Sequence, residues 1–124
     1  MLGGGPAGST AAALLARRGW SVALVEKDSH PRFHIGESLL PLNVPILERL
    51  GVLDAVSSVG VRKLGADFPA PTERGYNVFR FDRALDPRNP YAFQVKRAEF
   101  DELLFRHAAA EGARTYEGVA VERV

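Results

Sequence analysis

Cysteine is absent from the 124 residues, which excludes a disulfide framework, a thiolate metal site and a thiol nucleophile. Net charge is nearly absent too. The 16 basic and 15 acidic side chains leave +1, too little to draw the chain to a phosphate backbone, and no nucleic-acid partner is expected. Long apolar runs are scarce. The longest uncharged run near the start, Met1 to Ala16, has 16 residues dense in Gly, Ala, Ser and Thr, too short and too weakly apolar to cross a bilayer. No integral membrane segment is therefore expected. That stretch also lacks the basic leader of a secretory signal, its first charge being Arg17, so the expected location is cytoplasmic. Lysine is rare, 3 residues against 13 Arg, and Gly with Pro (12 and 8) stays well below the level of collagen or low-complexity chains. Internal repeats and blocks of five or more like charges are missing. What remains, 46% hydrophobic and 25% charged residues, suits one ordinary domain over residues 1–124.

Most of the information lies in the first 28 residues. Gly3 to Gly8 reads GGGPAG, and an Ala/Leu-rich stretch follows, with Arg17 and Arg18 at its end and Gly19 just beyond. Strong helix formers, basic residues in the last turn and a closing Gly predict a helix from about Pro6 to Arg18. Ser21 to Glu26 (SVALVE) is β-branched and almost wholly apolar, the pattern of a strand buried on both faces. Lys27 to Glu37 reads as a loop. A second helix is predicted from about Asn43 to Leu50, with Pro45 in its first turn and Gly51 closing it, and Leu53 to Ser57 adds another turn. Between Val61 and Val95 the chain is punctuated by Pro69, Pro71, Gly75, Pro87 and Pro90, and pieces such as Tyr76 to Phe81 suggest antiparallel strands. A third helix is predicted from about Ala98 to Glu111, with Phe100, Leu103, Leu104 and Ala108 along one face. Thr115 and Val119 to Val124 read as further strand. Trp20 is expected to serve packing.

GGGPAG fits G-x-G-x-x-G with Gly3, Gly5 and Gly8 in the fixed positions. The first Gly allows a tight turn, the second lets backbone approach a pyrophosphate, and the third lets helix and strand sit close. The helix amino terminus through Pro6 and Ala7 then offers unpaired N–H groups and roughly half a positive charge to the phosphates. Glu26 closes the following strand about 20 residues after the loop, where a carboxylate accepts hydrogen bonds from ribose hydroxyls. An acid there argues against NADP, but the spacing does not separate FAD from NAD. A solvated strand-end charge is the competing reading of Glu26. Only Met1 and Leu2 stand before Gly3, so the first strand of the sheet is expected to be largely missing, and the chain stops inside the run GVAVERV, so it reads as an amino-terminal piece of a longer protein, one partial domain truncated at both ends.

Three stretches, GGGPAGSTAAALLARRG, VALVEKDSHPRFHIGESLLP and QVKRAEFDELLFRHAAAEGA, resemble the amino-terminal FAD-binding region of flavin-dependent halogenases and their relatives, the p-hydroxybenzoate-hydroxylase-type monooxygenases and the geranylgeranyl reductase group. The resemblance implies a Rossmann-like α/β FAD-binding domain of the GR2 flavoprotein type, partial and with some antiparallel strand. It implies FAD as cofactor, held at Gly3, Gly5, Pro6, Ala7, Gly8, Glu26 and Lys27. Gly36, Glu37 and Ser38, with Pro41, resemble the GES-type loop that lies against the flavin, and Arg97 resembles an arginine that helps to hold FAD. A guanidinium beside a diphosphate can make paired, charge-assisted hydrogen bonds, and Arg32 and His34 lie where they too can reach the cofactor. Glu37 and Ser38 can alternatively cap the next helix, and Arg97 can be a surface residue. His30 and His34 are four apart with Pro31 between them, so no helix and no metal site is expected.

VRKLGADF resembles the K-x-G-A stretch in which a halogenase lysine receives hypochlorous acid, making Lys63 the candidate catalytic residue; a solvated loop lysine is the alternative. For the whole protein the resemblance implies an oxygen-using halogenase or monooxygenase acting on a small organic substrate, with chloride and a flavin reductase as further partners. A geranylgeranyl-reductase-like flavin reductase, or an inactive truncated piece, are the other readings.

Overall fold

The computed structural model describes residues 1–69 and 75–123; Pro71 and Val124 lie outside them. The Ala/Leu-rich stretch forms α1 (Pro6–Arg17), with Pro6 at the first position and Gly5 as an extended N-cap that offers no side-chain cap. Proline suits that position because its fixed φ is helical and its missing N–H would have had no intrahelical partner. The helix stops at Arg18, and the chain turns at Gly19 in the left-handed region, φ +82°. One face of α1 is made of Ser9, Ala12 and Ala13, all buried and all small. Small side chains let the helix lie close to the strand beneath it.

That strand, β1 (Ala23–Val25), is shorter than the Ser21 to Glu26 run. On one side it pairs in parallel with β6 (Arg114–Tyr116), Glu26 N donating to Tyr116 O at 2.8 Å and Arg114 N to Val22 O at 2.9 Å. On the other side the residues before the glycines continue the sheet: Val25 N donates to Met1 O at 3.1 Å and Gly3 N to Val25 O at 2.8 Å. The expected first strand is thus a stub, Leu2 bridging Val25 in parallel. Pairing on both edges satisfies the backbone of β1, while Leu24 is fully buried against the start of α1 and Ala23 and Val25 are part-buried, which accounts for its apolar residues. Parallel strands joined through helices give the Rossmann-like α/β architecture.

A short 3-10 turn (Pro41–Asn43) leads into α2 (Val44–Leu50), closed by Gly51 at φ +76°, and α3 (Leu53–Val59) follows. Two antiparallel pairs come next: β2 (Val61–Lys63) with β5 (Ala92–Gln94), and β3 (Gly65–Pro69) with β4 (Tyr76–Arg80). Finally α4 (Arg97–Ala110) packs along α1.

The core joins Leu24, Leu47, Leu50, Val56, Phe93, Leu104 and Phe105 under α1 and α4. Burying each such side chain is worth roughly 1.5–3 kcal/mol. On α4, Phe100, Leu104 and Ala108 are buried and Leu103, half-buried, packs against the same core; Phe105 and Asp101 are fully buried too, because the helix is covered by the loop after β1 as well as by the core. Two expectations need correction. Residues 119–123 form no strand, though Val119 N still donates to Glu26 O at 3.0 Å. Trp20 is 67% exposed and adds little to the packing of the described residues, since it follows the helix end at the margin of the sheet.

Candidate FAD site

The glycine turn is set by contacts that only hydrogen permits. Gly3 has φ +97°, and a Cβ on Gly8 would lie 2.0 Å from the Gly3 carbonyl oxygen. A Cβ on Gly4 would strike the Phe105 ring at 2.7 Å and the Glu26 Cβ at 2.9 Å. The loop is therefore pressed onto the start of α1 from above and onto α4 from below. The first helical bond is Ser9 N to Gly5 O at 3.0 Å, so the amides of Ala7 and Gly8 have no intrahelical acceptor. Ser9 Oγ ties the turn down by donating to Gly4 O at 3.0 Å.

Glu26 stands at the mouth of this turn and is only 4% exposed, which sets aside the solvated-charge reading. Its Oε2 accepts from Gly4 N at 2.6 Å and from Arg32 Nη2 at 3.2 Å; its Oε1 accepts from Asp28 N at 3.1 Å. Burial alone would raise this carboxyl, but the amides of Asp28 and Gly4 and the Arg32 guanidinium outweigh it and hold the group below its ordinary value. It is an ionised acceptor whose Oε1 carries a single protein donor among the described residues.

Gly3, Gly5, Pro6, Ala7, Gly8, Glu26, Lys27 and Arg32 come together around one cleft of about 480 Å³. Val119 and Val121 complete its wall, two residues that read as strand in the sequence. The fit to a dinucleotide is chemical as well as spatial. Free helix-end amides, two cationic side chains in the lining and a buried carboxylate are the donors and acceptor that such a ligand presents partners for. Arg32 Nε is buried with no hydrogen-bond partner among the described residues, a donor left over beside the cleft.

Gly36, Glu37 and Ser38 line a second cleft of about 400 Å³, together with Phe33, Ile35 and Gln94; His34 borders both clefts. Glu37 and Ser38 do not cap α2, because they run alongside β5: Val95 N donates to Glu37 O, and Leu39 N to Phe93 O, each at 2.9 Å. Ser38 bridges Gln94 in antiparallel fashion. β2 pairs with the other edge of β5, where Lys63 sits opposite Ala92. Lys63 is therefore on a strand, which corrects the loop reading. Its Nζ crosses the small Ala92 position to donate to Ser38 Oγ and lies 5.7 Å from the Phe81 ring centroid. Burial lowers its pKa from the ordinary lysine value.

Arg97 borders neither cleft directly. Its guanidinium is taken by Asp101, through Nε at 2.7 Å and Nη2 at 2.9 Å, and by the Ile35 carbonyl, through Nη1 at 3.0 Å. The bonds to Asp101 raise the Arg97 pKa. His30 is buried, with Nδ1 2.8 Å from Glu117 Oε1, and stacks on Phe105 at 4.6 Å. The two residues that sequence reasoning missed at this site are Asp101 and Phe105. Both fall on the expected α4, and neither belongs to a motif.

Residues 1–124 match the family of the FAD binding domain. The tryptophan 2-halogenase of Chondromyces crocatus is 46% identical over the whole chain, which covers 23% of that protein. The flavin-dependent halogenase gsfI of Penicillium aethiopicum is 48% identical over 98% of the chain and 23% of its own length. Among solved structures, the halogenase CmlS superposes with a TM-score of 0.89 at 37% identity, covering 99% of this chain and 22% of that one. The myxobacterial chondrochloren halogenase CndH gives 0.86 at 39%, covering 94% and 27%. The chain spans about a quarter of the length of the curated relatives it matches. A glycine turn without room for a single Cβ at Gly8, a buried carboxylate at its mouth and a match over the full length together show that this chain belongs to the FAD-binding domain family, as found in flavin-dependent halogenases.

Proposed function

We propose that the complete protein is a flavin-dependent halogenase in which residues 1–124, as one partial domain, supply the nucleotide end of the FAD site and the lysine that directs the halogen. The observation that carries this reading is the gathering of the glycine turn, Glu26, Lys27 and Arg32 around one cleft. The Ala7 and Gly8 amides bind the diphosphate, aided by the positive end of α1. Glu26 Oε1 accepts from the ribose, because Oε2 is already engaged by Gly4 and Arg32. Lys27 and Arg32 offset the phosphate charge. Gly36, Glu37 and Ser38 border the flavin end, and Arg97 holds that border in place from behind.

The two-electron chemistry with oxygen belongs to the bound cofactor, while the protein binds, orients and excludes water. Lys63 then presents an amine that gives up its proton more readily than a free lysine. It stands where the Gly36–Ser38 loop meets β5, a position from which an electrophilic halogen can be held and passed on. Oxygen, a halide and a small organic substrate are the reactants, and a flavin reductase supplies the reduced cofactor. A cytoplasmic location belongs to the same proposal, since that reductase draws on cellular reducing equivalents.

The test is Lys63→Ala in the complete protein, assayed with reduced FAD, oxygen and chloride. Loss of chlorinated product with FAD binding retained is expected. Unchanged chlorination would remove Lys63 from the mechanism, and a hydroxylated product in the parent protein would replace the halogenase reading by a monooxygenase.

A further inference from the structure

Asp101 is fully buried on α4, and its carboxylate accepts from two different arginines: Arg32 through Nη1 at 3.2 Å, and Arg97 through Nε and Nη2 at 2.7 and 2.9 Å. Two guanidinium groups this close repel one another unless an anion lies between them. Each arginine also directs one further donor to a different part of the site, and Arg32 Nε is left without a partner among the described residues. Arg32 Nη2 reaches Glu26 Oε2 at 3.2 Å and lies 3.6 Å from where a Cβ on Gly5 would stand. Arg97 Nη1 holds the Ile35 carbonyl at 3.0 Å, immediately before Gly36, whose φ of +99° makes the loop turn. A Cβ on Gly36 would sit 3.3 Å from that same Nη1. The four side chains Glu26, Arg32, Asp101 and Arg97 alternate in sign, with two charges of each kind. Their support is rigid, because Phe100, Leu104 and Phe105 beside Asp101 belong to the core.

From this geometry we infer that Asp101 is a positioning residue of the FAD site: it sets Arg32 against the ribose carboxylate and Arg97 against the Gly36–Ser38 loop, so that one buried carboxylate ties the nucleotide end of the cofactor to its flavin end. The inference rests on the reading of the two clefts as one FAD site. Asp101 itself touches no cofactor; it acts through the arginines. Without it, Arg32 and Arg97 have no common anchor, Glu26 Oε2 keeps Gly4 N but is no longer faced by an anchored Arg32, and the carbonyl at Ile35 is released.

Hydrogen exchange of the cofactor-free complete protein carrying Asp101→Asn tests this, together with FAD titration. Amides of residues 33–39 are expected to exchange about tenfold faster or more, while Leu104 to Ala110 keep their protection. FAD should bind roughly tenfold more weakly or worse, the size of one lost charge-assisted hydrogen bond. Unchanged exchange in residues 33–39 would overturn the inference. So would loss of protection throughout α4, which would make Asp101 a support for the helix alone. Should Asp101→Asn not fold, single variants separate the two arms. Arg97→Gln is expected to speed exchange in residues 33–39, and Arg32→Gln to weaken FAD binding without doing so; identical patterns from the two would also overturn it. Because the exchange is read without cofactor, failure of the parent protein to bind FAD would sink the site assignment and leave the exchange result to be judged separately.

Discussion

At the scale of single residues, the site depends on what Gly8 leaves out and what one carboxylate takes in. Gly8 has a Gly3 carbonyl oxygen 2.0 Å from its missing Cβ, so Gly8→Ala must move the turn or the helix start. The expected cost is roughly 1–3 kcal/mol or more by overpacking against backbone, seen as a lower denaturation midpoint, with FAD binding lost. Gly75, with nothing among the described residues within 4 Å of its Cβ position, is the control, and Gly75→Ala should stay within about 0.5 kcal/mol. Glu26 gives a pH signature. Its carboxyl is held below the ordinary value of 4.5, so the stability it contributes is fully present above pH 4.5 and is lost as pH falls through its folded-state value. Thermal melts between pH 3 and 6 should fall less steeply below pH 4.5 for Glu26→Gln than for the parent; parallel curves would show that Glu26 is not held in this way.

Among the elements, α1 and α4 decide whether the glycine turn has a floor. Phe105 is fully buried and approaches to 2.7 Å of the Gly4 Cβ position, which makes it the surface on which the turn rests. Phe105→Ala should cost roughly 3–5 kcal/mol and weaken FAD as well, whereas Leu103→Ala, on a half-buried position of the same helix, should cost clearly less and leave FAD affinity unchanged. Chemical denaturation paired with FAD titration checks both. This contrast also shows where the sequence was legible. α1, β1, α2 and α4 carry periodicity, Pro and Gly signals within the chain, and those local signals place them to within a residue or two. The burial of Asp101 and Phe105 comes instead from the loop Lys27 to Glu37 folding back over α4, and nothing local to residues 101 or 105 encodes that contact. Lys63 is similar: its strand exists because β5, some thirty positions later, pairs with it. Residues 119–123 show the opposite error, an alternating pattern that reads as strand but whose apolar side chains Val119 and Val121 wall the cleft.

Viewed as a whole molecule, the chain exposes apolar side chains at the second cleft, where Phe33 is 84% exposed and Ile35 82%, and again a few residues further on, where Leu40 and Leu42 are 62% and 69% exposed. The relatives are about four times as long, and further polypeptide in them has room to cover such a face. Residues 1–124 expressed alone are therefore expected to associate with themselves and to bind FAD weakly if at all, as sedimentation and a visible spectrum would record. A monodisperse yellow monomer would contradict this.

The central claim is that the main-chain amides after Gly5 hold the cofactor's diphosphate while Glu26 holds its sugar. A crystal structure of the complete protein with FAD tests it most directly. Phosphate oxygens within hydrogen-bond distance of the Ala7 and Gly8 amides, with a ribose hydroxyl on Glu26 Oε1, are the expected result; a diphosphate bound elsewhere, with Glu26 still facing only Gly4, Asp28 and Arg32, would contradict it.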